Sequence, residues 1–183
     1  MRPALKPLIQ TVTTLFILII HGAAFPANSS PIDPFVGRWV GIGLTEKNGP
    51  ASNQAIVDRE LDVTIRLKEN GFSIVWQTVR RPANAGNKKF RAWTSVVPFV
   101  QTERKGLYRM DVSGEPVSGS PYVWAFVSDR VLTVHRISIS SKGVLEYQKY
   151  VRTLLADNEM QLHYTRSLDG NQDRSVLARL RKK

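Results

Sequence analysis

Between Leu61 and Arg80 the chain alternates apolar and polar residues across a turn signal, and this stretch limits what it can fold into more than any other. Leu61, Val63, Ile65 and Leu67 alternate with Asp62, Thr64, Arg66 and Lys68, so a strand over 61–68 buries one face and wets the other. Asn70-Gly71 follows, a pair favoured at the centre of a two-residue hairpin turn because both positions there need positive φ. Phe72, Ile74 and Trp76 then alternate with Ser73 and Gln77 toward Arg80, which predicts the returning strand.

Further segments rich in Val, Ile, Thr and aromatics predict strands at 35–45, 90–100, 107–112, 122–127, 131–139, 145–154, 160–167 and 176–181. Turn residues separate them: Lys105-Gly106, the run from Ser113 to Pro121, Ser128-Asp129-Arg130, Lys142-Gly143, Asp157-Asn158 and Asp169-Gly170-Asn171. Connections this short join antiparallel neighbours. The expectation is an all-β, up-and-down meander of about 8–10 strands that closes into a barrel, since closure removes unpaired edges; a β-sandwich is the alternative. The stretch from Lys47 to Asp58 carries no readable period.

The N-terminus has a different character. Arg2 and Lys6 precede an apolar run from Leu8 to Ile20, and Gly22, Ala23 and Ala24 follow, the layout of a secretory signal peptide cleaved after Ala24. The run is broken by Gln10, Thr11, Thr13 and Thr14 and is short for a spanning helix. A Pro/Ser/Asn-rich lead-in over 25–34 then precedes one domain over 35–183. With no cysteine, stability must come from packing and the backbone ladder. Export to a bacterial periplasm or the medium is the expected localisation. The formal net charge is +11, which favours anionic surfaces such as lipid or acidic glycan as partners; no specific nucleic acid is expected.

The domain opens Phe35-Val36-Gly37-Arg38-Trp39-Val40-Gly41-Ile42-Gly43. This resembles the opening of lipocalins and other calycins, in which a G-x-W segment begins the first strand of an up-and-down barrel. The resemblance implies that Gly37 and Trp39 occupy the motif positions, that Trp39 plugs the closed end, and that a basic residue near the last strand, Arg179 or Arg181, packs over its ring. Gly41 and Gly43 would let the strand bend. The same glycine pattern is similar to the opening of nitrobindin-type haem-binding barrels, which need a histidine ligand. His163, on the face of its strand opposite Leu162 and Tyr164, reads instead as a surface or core-edge residue, and no cofactor is expected.

No H-E-x-x-H or G-x-S-x-G pattern occurs, no metal site of the zinc type is expected with no cysteine and only His135 and His163 after the leader, and no catalytic residue stands out. Asp62, Asp111 and Glu146 interrupt strands and are expected to face outward. Trp76, Trp93, Tyr108, Trp124 and Tyr147 fall near the middles of separate strands; they are candidates for core or, with Arg109, for the lining of a ligand cavity. Arg80, Arg81, Lys88, Lys89 and Arg91 cluster around 82–87 beside Phe90 and Trp93, a candidate anion-binding surface. The reading that follows is an exported, non-enzymatic barrel that holds an apolar or amphipathic small molecule. The alternative is a basic envelope protein with a packed interior that acts through its surface on anionic lipid or glycan. An isomerase or cyclase would need a buried carboxylate or arginine facing a cavity.

Overall fold

The computed structural model describes residues 30–47, 57–80, 91–112 and 114–183; the expected leader over 1–24 and the basic residues Arg81, Lys88 and Lys89 lie outside them. Ten antiparallel strands run in chain order: β1 (Gly37–Lys47), β2 (Val57–Lys68), β3 (Gly71–Arg80), β4 (Arg91–Gln101), β5 (Leu107–Met110), β6 (Tyr122–Ser128), β7 (Val131–Ile139), β8 (Leu145–Ala156), β9 (Glu159–Leu168) and β10 (Asn171–Lys182). Each pairs with the next, and β10 returns to β1, so the sheet is a closed barrel. The meander is therefore as expected, and the sandwich alternative is set aside because β1 is paired on both sides.

The first hairpin forms, but its turn sits one residue earlier than the Asn-Gly rule places it. Lys68 pairs with Gly71, so the turn residues are Glu69 and Asn70, and Asn70 is not among the residues with positive φ. Gly71 opens β3 at φ +154, where a Cβ would stand 2.2 Å from the Phe99 carbonyl oxygen. Glycine is required there for the close approach of β4. The turn with two positive-φ residues is Asp169-Gly170, at φ 48 and φ 82, between the paired Leu168 and Asn171, as a primed turn demands.

Alternation along each strand sends one set of side chains into the barrel, and these divide it into two halves. At one end the lumen is filled. A short 3-10 turn, Asp33–Phe35, lays the buried Phe35 and Ile32 across the base, and Trp39 is wholly buried above them, its indole N–H donating to the Phe35 carbonyl at 2.8 Å. Phe72 stacks on Phe99 at 4.8 Å between centroids and takes Tyr108 edge-on at 4.9 Å, both favoured ring arrangements. Leu132, Met160 and Leu180 complete this layer.

The residue over the Trp39 ring differs from the expected one. Lys182 pairs with Trp39 in register and sets its ammonium 5.3 Å from the ring centroid. Arg179 pairs with the exposed Ile42 on the outer face, and Arg181 reaches Glu159 at 3.5 Å. Gly41 and Gly43 serve proximity: a Cβ on Gly41 would lie 2.1 Å from the Arg179 carbonyl oxygen, and one on Gly43 would lie 2.9 Å from Val176 Cγ1.

Candidate functional site

The other half of the barrel is built differently. On β8 the inward positions, read from the open end toward the filled one, are Glu146, Gln148, Tyr150, Arg152 and Leu154, as their partners Ser138, Arg136, Val134 and Leu132 on β7 show. Polarity thus falls away with depth, except at Arg152. Tyr150 stacks across the lumen on Trp76 at 5.5 Å and lies 4.7 Å from Tyr164 on the neighbouring strand. This aromatic bar splits the open half into two lobes.

The first lobe is a cavity of about 140 Å³ walled by Leu61, Val63, Trp76, Thr78, Tyr150, Leu162, Tyr164 and Val176, with Arg152 and Arg174 as its cations. The second, of about 340 Å³, lies on the other side of the bar between Val97, Met110, Val123, Val134 and Arg136. Barrels of eight or more strands are wide enough for one small ligand, and here the space is confined to the half that aromatic packing leaves open.

Electrostatics set the lobes apart from an ordinary core. Arg152 is only 1% exposed, and its Nε and Nη1 have no hydrogen-bond acceptor among the described residues. Its guanidinium carbon lies 5.5 Å from the Tyr150 ring centroid and 5.8 Å from that of Trp76. Burial pushes its pKa down to about 10, partly opposed by Tyr150, so it remains a cation at neutral pH. Burial, then the neighbouring Tyr164, raises the Tyr150 phenol well above its usual range, so that O–H stays protonated and donates to Gln148 Oε1 at 2.6 Å. Gln148 in turn donates to Glu146. Glu146 is 3.5 Å from Arg136, and Arg166 pairs with Asp173 by two hydrogen bonds.

Glu146 therefore faces inward, contrary to expectation: β8 carries comparable apolar residues on both faces, and pairing rather than hydrophobicity decides which one is buried. Asp62 faces outward and pairs with Arg38 at 2.6 Å, and Asp111 is exposed.

Of the aromatic candidates, Trp76 lines the cavity. Trp93 stands opposite Thr78 near the open rim and is about half exposed, at 48%. Tyr108 belongs to the filled half. Trp124 and Tyr147 lie on the outer wall. There Trp124 stacks on His135 at 4.8 Å, and His135 Nδ1 is 2.7 Å from the Tyr147 hydroxyl. Burial and then the Lys149 charge lower the His135 pKa. Arg109 is exposed and donates to the carbonyls of Met110 and Asp111, each at 3.3 Å. On β6 the small or branched Val123, Ala125 and Val127 point inward and are buried, which turns Trp124 outward. Arg80 and Arg91 pair in register at the ends of β3 and β4, at the open rim. His163 is exposed, 3.3 Å from Ser175 Oγ. No cluster of three or more His, Asp or Glu side chains that could hold a metal occurs among the described residues.

Arg152, Arg174, Tyr150 and Tyr164 were not singled out in the sequence. The signal that finds them is register: once Asp157-Asn158 is taken as the β8–β9 turn, the in-phase residues Leu162 and Tyr164 of β9 carry Arg152 and Tyr150 of β8 inward with them.

A closed ten-stranded antiparallel meander with one filled and one hollow end fits a lipocalin-like barrel fold. No family model matches the sequence, and no curated protein matches it either. Solved structures do. The S-type phycobiliprotein lyase CpeS from Guillardia theta superposes with a TM-score of 0.55 at 8% identity, over 83% of this chain and 90% of that one. A DUF3598-family protein of unknown function from Nostoc punctiforme superposes with a TM-score of 0.53 at 16% identity, over 83% of this chain. The match spans 48% of the Nostoc chain, so this chain corresponds to about half of it. At these identities the likeness concerns the fold.

Proposed function

We propose that this chain is a binding protein that holds a small apolar or amphipathic molecule in the open half of its barrel. The observation that carries the reading is the contrast along one lumen: side chains fill the lower layers, whereas the upper layers leave a cavity of about 140 Å³ walled by Trp76, Tyr150, Tyr164 and aliphatic side chains. Cavities of this kind, mostly apolar with a few convergent polar groups, are the usual small-molecule sites. The carboxylates Glu146 and Asp173 are each matched with an arginine, which favours holding a ligand over acid–base work on it. Among the solved structures with this barrel is one named as a phycobiliprotein lyase, which is compatible with the same use of the lumen. Export after removal of residues 1–24, to a bacterial periplasm or the medium, is part of the proposal.

Native mass spectrometry with organic extraction, on protein purified from its own compartment, tests both parts. A stoichiometric bound small molecule on a chain that begins at Phe25 is the expected result. A clean apo mass after gentle handling, together with salt-dependent binding to anionic vesicles, would favour the surface reading. The paired Arg80 and Arg91 at the open rim and the net charge of +11 make that the second candidate.

A further inference from the structure

Resting on that reading of the open half, we propose that the ligand is a compact carboxylic acid bound as its anion, with the carboxylate on Arg152 and Arg174 and the apolar body against Trp76 and Tyr150. The charge balance of the lumen points there first. Four arginines, Arg136, Arg152, Arg166 and Arg174, face it or its rim, and the two carboxylates beside them are engaged, Glu146 with Arg136 and Asp173 with Arg166. Among the described residues Arg152 is left without a counter-charge at the floor of the cavity, only 1% exposed.

An isolated buried ion is strongly disfavoured, because its lost hydration is not replaced. The ring faces of Trp76 and Tyr150 offset part of that by cation–π attraction. They do nothing for the guanidinium donors in its plane, and Nε and Nη1 have no acceptor among the described residues. A neutral partner could accept those hydrogen bonds, but only an anion also answers the charge in a low-dielectric site. Arg174 lines the same cavity, and its buried Nε likewise lacks an acceptor among the described residues. Three guanidinium nitrogens without an acceptor among the described residues, two on Arg152 and one on Arg174, suit a planar carboxylate, whose two oxygens match the fork of an arginine.

Size narrows the class further. A cavity of about 140 Å³ is close to the ~150 Å³ that admits a benzene ring, so the body is one ring or a short branched chain.

Titration calorimetry on the purified protein at pH 7, with phenylacetate and its neutral counterpart phenylacetamide, tests this without any variant. The acid should bind about tenfold tighter or better, the ratio that ~1.4 kcal/mol of charge recognition gives. Arg152→Met should erase the preference for the acid, and Arg152→Lys should keep part of it. If acid and amide bind alike, the carboxylate assignment is overturned while the barrel remains a binding site. Competition by inorganic phosphate as strong as by phenylacetate overturns it in favour of a phosphate group. Binding of palmitate but not of phenylacetate overturns the compact body. If none of these probes binds, the carboxylic-acid assignment is overturned, and the native mass measurement decides the reading of the open half on its own.

Discussion

The two ends of this barrel are made by the same ten strands and the same alternation, yet they differ in what the inward positions carry. At the filled end, Trp39, Phe72, Phe99 and Tyr108 interlock over a base of Ile32 and Phe35, all 1% exposed or less, and the Trp39 indole donates to the Phe35 carbonyl. At the open end the same strands present Trp76, Tyr150, Tyr164, Arg152 and Arg174 around a cavity. Close packing stabilises the first half; the second keeps a buried cation and empty volume, both of which weaken a fold. The difference teaches that close packing and the proposed binding fall at opposite ends of one lumen, so a substitution's effect should depend on its depth.

The largest effect is expected at the filled end. Trp39→Ala should lower the unfolding free energy by about 3–5 kcal/mol, as truncation of fully packed large side chains does, whereas Trp76→Ala, at the cavity wall, should lower it clearly less. Urea denaturation of both variants measures this, and a greater loss for Trp76→Ala would break the comparison.

A smaller loss, about 1–3 kcal/mol from overpacking, is expected for Gly41→Ala, because its Cβ would lie 2.1 Å from the Arg179 carbonyl oxygen and push β1 from β10. The same denaturation assay applies. An unchanged midpoint would mean that the seam between first and last strand yields easily and that closure is weaker than described.

The smallest effect comes from outside both halves. His135 on the outer wall has its pKa lowered by burial and then by Lys149, so the unfolded chain takes up that proton first as pH falls. Stability is therefore present above the unfolded value of ~6.5 and is lost as pH drops through it toward the folded value. Thermal scans should show a slightly lower Tm at pH 5.5 than at pH 8, and His135→Gln should remove that part of the drop. A Tm that rises on acidification would contradict it.

Much of the fold was legible because β2, β3 and β9 alternate cleanly, and because Asp169-Gly170 and Asp129 supply the positive φ that tight turns need. The site was less legible, for a physical reason that recurs on two strands. β8 reads Leu-Glu-Tyr-Gln-Lys-Tyr-Val-Arg-Thr-Leu-Leu-Ala, with apolar residues on both faces, so hydrophobicity alone does not say whether Tyr147 or Tyr150 faces inward. β6, Tyr-Val-Trp-Ala-Phe-Val-Ser, is ambiguous in the same way, and there the large aromatics go outward while Val123, Ala125 and Val127 fill a crowded wall. An arginine between Val151 and Thr153 resembles any solvated strand residue until its cross-strand neighbours, Leu132 and Leu162, place it inside. Lys182 over Trp39 shows the same logic, since register rather than residue type selects the cation.

The central claim is that Arg152 is kept for a ligand and not for the fold, and equilibrium unfolding of ligand-free Arg152→Met against the parent protein tests it most directly. Replacing a buried unpaired charge by an apolar side chain of similar length should raise the unfolding free energy by about 1–4 kcal/mol. A loss of stability of similar size would contradict the account and make Arg152 a structural residue of the core.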